Sequence, residues 1–216
     1  MRLFAAIVPP RAVLTEVREV VVHARPASGG APQHRRGLRA RFGGSGGSGR
    51  DATDAAVVEE LDLPDVAKMY LPLTQFGNVT LGDSVKLTQA LRTEALKWER
   101  PMLHLEGGTA LEFTGDESVW AKLGGDVERL QTIGRGVPQV VARLGFFVDR
   151  RQFRPWLSVG TINDHTTAPF LEGVVQRLDA FRGTSWTVES ISLMKGIPDE
   201  GPDAYEVMEE LPLAEA

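Results

Sequence analysis

Short apolar runs alternate with segments of helical periodicity along most of the chain. The first run, residues 3–8, stops at Pro9 and is typical of a buried strand that leads into a helix with proline near its first turn. Apolar residues then recur at helical spacing, at Val13, Val17, Val20 and Val21. The opening pattern therefore predicts a strand followed by a helix.

The remaining pattern combines helices with strands that follow one another directly. Ordered chain is expected to resume at residues 66–74, and strand-like segments are expected at residues 102–105, 110–113, 119–123, 154–162, 186–194 and 205–211. Helical segments are expected at about residues 84–98, 126–144 and 169–181, the second of them broken by Gly134, Gly136 and Pro138. Glycine turns at 107–108 and 115–116 separate consecutive strands, so the pattern favours an α+β fold of antiparallel sheet over a parallel doubly wound one.

Residues 26–50 interrupt this pattern with a segment rich in Gly, Ser, Pro and Arg. Such a composition buries too little apolar surface to offset the entropy of ordering. We therefore expect a flexible insertion within a single domain that spans residues 1–216. Residues 25–50 hold six Arg and no Asp or Glu, so the segment is either a solvated linker or a basic arm for phosphates.

Composition narrows the class of protein without naming a function. With 42% apolar and 25% charged residues the chain is typical of a globular protein, and a net charge of -5 argues against nucleic-acid binding over the whole surface. The absence of Cys excludes disulfides and thiol nucleophiles and fits a reducing compartment. The first apolar run is shorter than a signal-peptide core, and no segment approaches the roughly 20 apolar residues of a membrane span, so we expect a cytoplasmic protein with no membrane role.

Several segments together resemble the bacterial 2'-5' RNA ligase, or RNA 2',3'-cyclic phosphodiesterase, family of the two-histidine phosphoesterases. They are residues 1–10, Gly77, residues 153–155, residues 186–193 and residues 205–207. The resemblance implies two pseudo-symmetric lobes of antiparallel sheet, flanked by helices around a central cleft. It also implies that each lobe contributes one His-x-Thr/Ser strand motif, in which residues two apart point at the same phosphate.

The first motif position lacks its histidine. Counting back from Gly77 places Tyr70 where the family has His and Pro72 where it has Thr. A frame shifted by two residues uses Pro72 and Thr74 instead. Simple alternation along a strand would put Tyr70, Pro72 and Thr74 on one face in either frame.

The second motif position has departed from the family as well. Trp156 stands at the histidine position, while Ser158 keeps a hydroxyl at the Thr/Ser position. The basic residue often found shortly afterwards in the family is replaced by Gly160 and Thr161. The two histidines and this basic residue are therefore absent from their expected positions.

These replacements remove the acid-base groups that the family mechanism uses. An indole N–H cannot accept a proton near neutral pH, and a phenol with an ordinary pKa near 10 is a poor base at pH 7. The leading hypothesis is a catalytically impaired member of the fold that binds a nucleotide or RNA terminus. Its expected binding residues are Tyr70, Pro72, Thr74, Trp156 and Ser158, with no catalytic residue among them.

Other interpretations of the same residues stay open. Large aromatic residues at 70 and 156 fill a vacated cleft as readily as they stack on a base. An active cyclic phosphodiesterase would need other groups, such as Tyr70 with a shifted pKa or His104 turned toward the cleft. A third possibility is an interaction scaffold that acts through the Arg-bearing segment, although no protein partner can be named.

The remaining histidines and the glycine runs indicate structural roles. His165 matches His-x-Thr as a pattern but lies between Asn163 and Pro169, which predicts a loop; His104 is expected to be structural, and His23 and His34 lie at a helix end and in the basic segment. No His, Asp and Glu spacing is typical of a metal site, and no phosphate-binding loop is present, so we expect no cofactor and no metal. Asp126 is expected to cap the helix that follows Gly125.

Overall fold

The computed structural model describes residues 1–24, 60–148, 152–197 and 204–215. The predicted flexible insertion at residues 26–50 and His34 lie outside these ranges. No helix in the described ranges is long and apolar enough to cross a bilayer.

Four helices and eight strands make up the described part of the chain. The strands are β1 (Arg2–Ile7), β2 (Leu71–Asn78), β3 (Met102–Ala110), β4 (Ser118–Gly125), β5 (Trp156–Thr161), β6 (Trp186–Thr187), β7 (Ser190–Gly196) and β8 (Tyr205–Pro212). The helices are α1 (Arg11–Val22), α2 (Leu81–Ala95), α3 (Val127–Arg143) and α4 (Ala168–Asp179), and a short 3-10 helix covers Val66–Lys68.

The strands form two antiparallel sheets of four strands each. The first sheet has the order β2-β1-β7-β8 and the second sheet has the order β5-β4-β3-β6. Helix α3 contacts β2, α2 contacts β7 and β8, and α4 contacts β3, while the buried apolar residues form one continuous core. The predicted α+β architecture of two lobes of antiparallel sheet is confirmed.

The first strand and helix form as the apolar pattern predicts. In β1, Leu3 and Ala5 are fully buried whereas Arg2 and Phe4, on the other face, are not. Helix α1 begins directly after Pro10, whose carbonyl accepts the first helical hydrogen bond, from Leu14 N at 3.1 Å. Ala6 and Ile7 are buried as well, so the alternation of faces holds over the first half of β1 and the second half is buried on both faces.

The predicted strand at residues 186–194 is two strands that belong to different sheets. Trp186 pairs with Leu103 in the second sheet, whereas Ser190 pairs with Pro212 in the first sheet. The two residues between β6 and β7 keep backbone hydrogen bonds: Val188 N donates to Pro101 O at 2.9 Å, and Glu189 O accepts from Leu213 N at 2.9 Å. One apolar run therefore serves both lobes, which a single-strand prediction cannot distinguish.

The predicted turn at Gly107 and Gly108, with separate strands on either side, is wrong. Strand β3 runs without interruption from Met102 to Ala110 and absorbs the glycines in a bulge between Leu105 and Gly108. Gly107 takes φ +73°, and a Cβ at Gly108 would lie 2.6 Å from Cβ of Leu178 in α4. The glycines therefore let helix and strand approach closely instead of turning the chain.

The predicted break in the third helix is also wrong. Helix α3 continues through Gly134, Gly136 and Pro138. The two glycines are contact points, since a Cβ at 134 would clash with Phe153 and one at 136 would clash with Trp98. The apolar face of α3 is buried, and this packing offsets the hydrogen bond that proline removes.

Helix α2 begins and ends about three residues earlier than predicted. The Thr80 hydroxyl accepts the N–H of Asp83 at 3.2 Å, which caps the helix before Leu81. Thr80 in turn donates to the Asp83 carboxylate at 2.7 Å. This reciprocal cap fixes the start of the helix more strongly than the apolar periodicity does.

Candidate functional site

The two strands that carry the degenerate motifs meet where the lobes join. Strand β2 is an edge of the first sheet, β5 is an edge of the second sheet, and the two strands contact each other. Aromatic side chains of both sheets are partly exposed, namely Phe4, Tyr70, Tyr205, Trp120 and Trp156. The fold therefore brings β2 against β5, while Tyr70 and Trp156 belong to separate aromatic clusters.

Tyr70 belongs to an aromatic cluster on the first sheet. Its ring centroid lies 5.2 Å from that of Phe4 and 5.2 Å from that of Tyr205. The Tyr205 hydroxyl donates to the carbonyl of Ala67 at 3.0 Å. Burial, and secondly the neighbouring Tyr70, raise the pKa of Tyr205 above its ordinary value. Tyr70, which directly precedes β2, thus has ring neighbours on β1 and β8.

Pro72 and Thr74 lie on opposite faces of β2, contrary to the expectation from simple alternation. Pro72 is exposed and pairs with Ala6, whereas Thr74 pairs with Ala5 and is 6% exposed. The register shifts between these two pairs, because β2 has an extra residue at Leu73. Within the described residues the Thr74 hydroxyl has no hydrogen-bond partner. Thr74 is therefore directed into the core.

Trp156 and Ser158 share one face of β5, as predicted. Trp156 pairs with Lys122 of β4, and Ser158 pairs with Trp120 of the same strand. All four residues are partly exposed. The rings of Trp120 and Trp156 have centroids 6.3 Å apart and planes inclined by 50°. This part of the second sheet therefore combines two indoles, a hydroxyl and an ammonium group.

The guanidinium of Arg154 is held between two aromatic rings beside this face. Its Cζ lies 4.9 Å from the ring centroid of Trp156 and 4.8 Å from that of Phe113. Among the described residues, no carboxylate lies within 4 Å of Arg154 or of Lys122. Arg154 was missed as a site residue in the sequence analysis. Arg154 lies two residues before Trp156, and residues two apart on a strand point to the same face, so this spacing could have indicated it.

Asp116 organises the loop between β3 and β4 and fixes Trp120. The carboxylate is 5% exposed and accepts the backbone N–H of Glu112 at 3.2 Å and of Ser118 at 3.1 Å. It also accepts the indole N–H of Trp120, at 3.0 Å and 3.2 Å to its two oxygens. These bonds hold the loop although Leu111 takes the unfavourable φ of 56°.

No histidine in the described ranges lies opposite Trp156 or Ser158. His104 is on β3, which β4 separates from β5, and its Nε2 lies 3.0 Å from Oε2 of Glu106 without the geometry of a hydrogen bond. His165 is exposed in a turn, where its backbone N–H donates to Asn163 at 2.9 Å, so the predicted loop is confirmed. His23 follows the last turn of α1, and its Nδ1 lies 2.8 Å from the carbonyl of Glu19.

Two hollows of the described surface lie away from the predicted site residues. Two shallow hollows of about 350 and 340 Å³ lie beside Arg129 and His23, and none of the predicted site residues lines them. Within the described ranges, no group of three His, Asp or Glu side chains could hold a metal ion. Asp126 occupies the predicted cap position of α3, but its carboxylate accepts the N–H of Met102 at 3.0 Å instead of a helix N–H.

Comparison with known proteins supports the fold. No protein-family model and no curated protein sequence matches the chain significantly. The crystal structure of TT0787 of Thermus thermophilus covers 99% of this chain and 98% of its own, with 19% identity and a TM-score of 0.61. E. coli LigT complexed with 3'-AMP gives 99% and 98% coverage, 18% identity and a TM-score of 0.57. The LigT complex with NADP+ covers 99% of this chain and 97% of its own, with 19% identity and a TM-score of 0.56.

These structures match nearly the whole chain with less than 20% sequence identity, so the comparison shows a similar fold. It supports the resemblance to the 2'-5' RNA ligase family at that level, and it agrees with two antiparallel four-stranded sheets and their helices. The chain therefore has a LigT-like α+β fold.

Proposed function

We propose that this protein binds the phosphate end of a nucleotide or RNA strand at the second sheet and does not hydrolyse it by a two-histidine mechanism. The observation that carries the proposal is the guanidinium of Arg154, which is stacked between Trp156 and Phe113 and has no carboxylate partner among the described residues. A stacked guanidinium keeps its N–H edge in a fixed plane, which suits the paired oxygens of a phosphate.

Two further groups on the same face suit this ligand. The hydroxyl of Ser158 can donate to a phosphoryl oxygen, and the ammonium of Lys122, opposite Trp156, adds a second positive charge. Both side chains are partly exposed, so a ligand can reach them. Lys122 thus adds a positive charge to a face on which the family's basic residue after the second motif is missing.

Hydrolysis would need a proton donor and a proton acceptor near the phosphate. The motif positions hold Trp156 and Tyr70 in place of histidines. His104 lies on β3, and β4 separates β3 from β5, so the two strands are about 10 Å apart. Loss of a general acid or base typically costs about 10² to 10⁴ in rate. The arrangement therefore favours retention of binding over turnover.

Nucleotides are the ligand class that the fold neighbours favour. LigT has been crystallised with 3'-AMP, with NADP+ and with ATP. These ligands share a phosphate attached to a nucleoside. The proposal takes the same ligand class for this chain, since the second sheet offers a phosphate subsite beside aromatic rings.

The test is isothermal titration calorimetry of 3'-AMP with the whole protein and two Arg variants. We expect Arg154→Gln to weaken binding about 10-fold or more, as for loss of charge-assisted hydrogen bonds. The matched control is Arg182→Gln, which removes an exposed cation that lies 3.8 Å from Glu106 on the same sheet. No binding by the wild type, or equal weakening by both variants, would contradict the proposal.

A further inference from the structure

We infer that Trp120 is the surface on which a planar ring of the ligand stacks, and that Asp116 is the positioning residue that sets its orientation. The ligand class is then a nucleobase joined to the bound phosphate, not a phosphate or sugar phosphate alone. This inference rests on the proposed phosphate site and assigns a second subsite next to it.

Position on the sheet places Trp120 beside the phosphate groups. Trp120 lies directly opposite Ser158 on the neighbouring strand. Directly paired side chains have Cβ atoms about 5 Å apart. A ring stacked on Trp120 would therefore lie within one nucleoside of a phosphate held by Ser158. The partial exposure of Trp120 leaves part of the indole in contact with solvent.

The neighbouring indole has a different task. Arg154 stacks on Trp156, with Cζ 4.9 Å from the ring centroid, so the guanidinium already occupies one face of that ring. Trp156 therefore holds the cation that meets the phosphate. Trp120 has no such cation over its ring among the described residues, which makes it the better of the two indoles for a base.

The hydrogen bonds of Asp116 explain why the indole of Trp120 keeps one orientation. The carboxylate accepts the indole N–H at 3.0 Å and is itself fixed by the backbone N–H groups of Glu112 and Ser118. A buried carboxylate with several donors has little freedom to move. A ring held in advance loses less conformational entropy when a base stacks on it.

Trp120→Leu and Trp120→Phe separate the ring from the rest of the side chain. The affinities of 3'-AMP and of inorganic phosphate are measured by calorimetry for the wild type and both variants. Base stacking in single-strand binders predicts that Trp120→Leu weakens 3'-AMP about 10-fold and leaves phosphate unchanged. Trp120→Phe keeps a ring, so we expect an intermediate affinity for 3'-AMP. Asp116→Asn is expected to weaken 3'-AMP and not phosphate, which a general loss of stability would not do.

Intrinsic fluorescence gives a second measurement on the same proteins. Of the four Trp residues, Trp98 and Trp186 are only 9% and 8% exposed, so an added nucleotide reaches mainly the other two. We expect 3'-AMP to quench the wild type and Trp120→Leu to lose most of this quenching. Circular dichroism is the check that each variant is folded.

The outcomes distinguish this inference from the proposal on which it rests. Equal 3'-AMP affinity in the wild type and Trp120→Leu would overturn the stacking role and leave the phosphate site intact. Equal loss of 3'-AMP and phosphate in a folded Trp120→Leu would overturn it too, because the residue would then only support the site. Failure of the wild type to bind either compound would overturn the proposed function itself.

Discussion

The phenol rings of Tyr70 and Tyr205 meet edge to face, with centroids 5.2 Å apart and planes at 85°. They are the only two Tyr residues of the protein, so phenolate absorbance follows this pair alone. Burial first, and Tyr70 second, raise the pKa of Tyr205. We expect an alkaline absorbance titration to show one phenol that ionises above the ordinary value of about 10.

Removing Tyr70 tests both causes of this shift. In Tyr70→Phe the remaining phenol should titrate at lower pH than in the wild type, yet still above about 10, because burial persists. Because the pKa of Tyr205 is higher in the folded state than in the unfolded state, the neutral phenol stabilises the fold. This stabilisation is fully present below the unfolded-state pKa of Tyr205 and is lost as pH rises through its folded-state pKa. An unchanged midpoint in Tyr70→Phe would show that the two phenols do not interact.

Replacement of Thr74 distinguishes a core residue from a ligand-binding one. Thr74→Val removes a buried hydroxyl that has no partner among the described residues, so we expect the free energy of unfolding to rise by about 1 kcal/mol and 3'-AMP affinity to stay the same. The matched control is Thr109→Val, since the equally buried Thr109 donates its hydroxyl to Glu112. We expect that variant to be less stable. Urea unfolding measures both, and weaker nucleotide binding by Thr74→Val would return Thr74 to the site.

Gly108 tests the contact between β3 and α4. A Cβ there would lie 2.6 Å from Cβ of Leu178 and 3.2 Å from the Val175 carbonyl, so Gly108→Ala is expected to destabilise the protein by about 1 to 3 kcal/mol. Gly82→Ala is the control, because Gly82 is helical and a Cβ added there would meet nothing within 4 Å beyond its chain neighbours and its own helix backbone. That variant should be neutral or up to about 1 kcal/mol more stable. Equal urea midpoints for the two would contradict the packing described.

Apolar periodicity predicted the strands and helices where a side chain's own burial decides its conformation, as in β1 and α1. Apolar periodicity failed at glycines, where the missing side chain leaves room for a neighbouring residue. Gly134 and Gly136 have no Cβ because Phe153 and Trp98 occupy that space, and this cannot be read from spacing alone. Gly107 is a similar case. It lies in a bulge within the continuous strand β3, whereas a pair of glycines ordinarily favours a turn.

The candidate site was predicted only in part for a related reason. Trp156 and Ser158 follow strict alternation along β5, whereas the extra residue in β2 turns Thr74 away from the face of Pro72. Trp120 alternates with buried Val119 and Ala121, so its position on the exposed face was available from the sequence. The hydrogen bond from the indole of Trp120 to Asp116 depends on how the loop folds and could not be predicted from the sequence.

A nucleotide phosphate is proposed to bind at Arg154 and Ser158 without being hydrolysed. Phosphorus NMR of a 2',3'-cyclic nucleotide with the purified protein tests binding and turnover in one sample, followed over hours. We predict a broadened cyclic phosphate signal and no product signal. Product formation that Ser158→Ala abolishes would contradict the claim and would mean that another acid-base pair operates at this face.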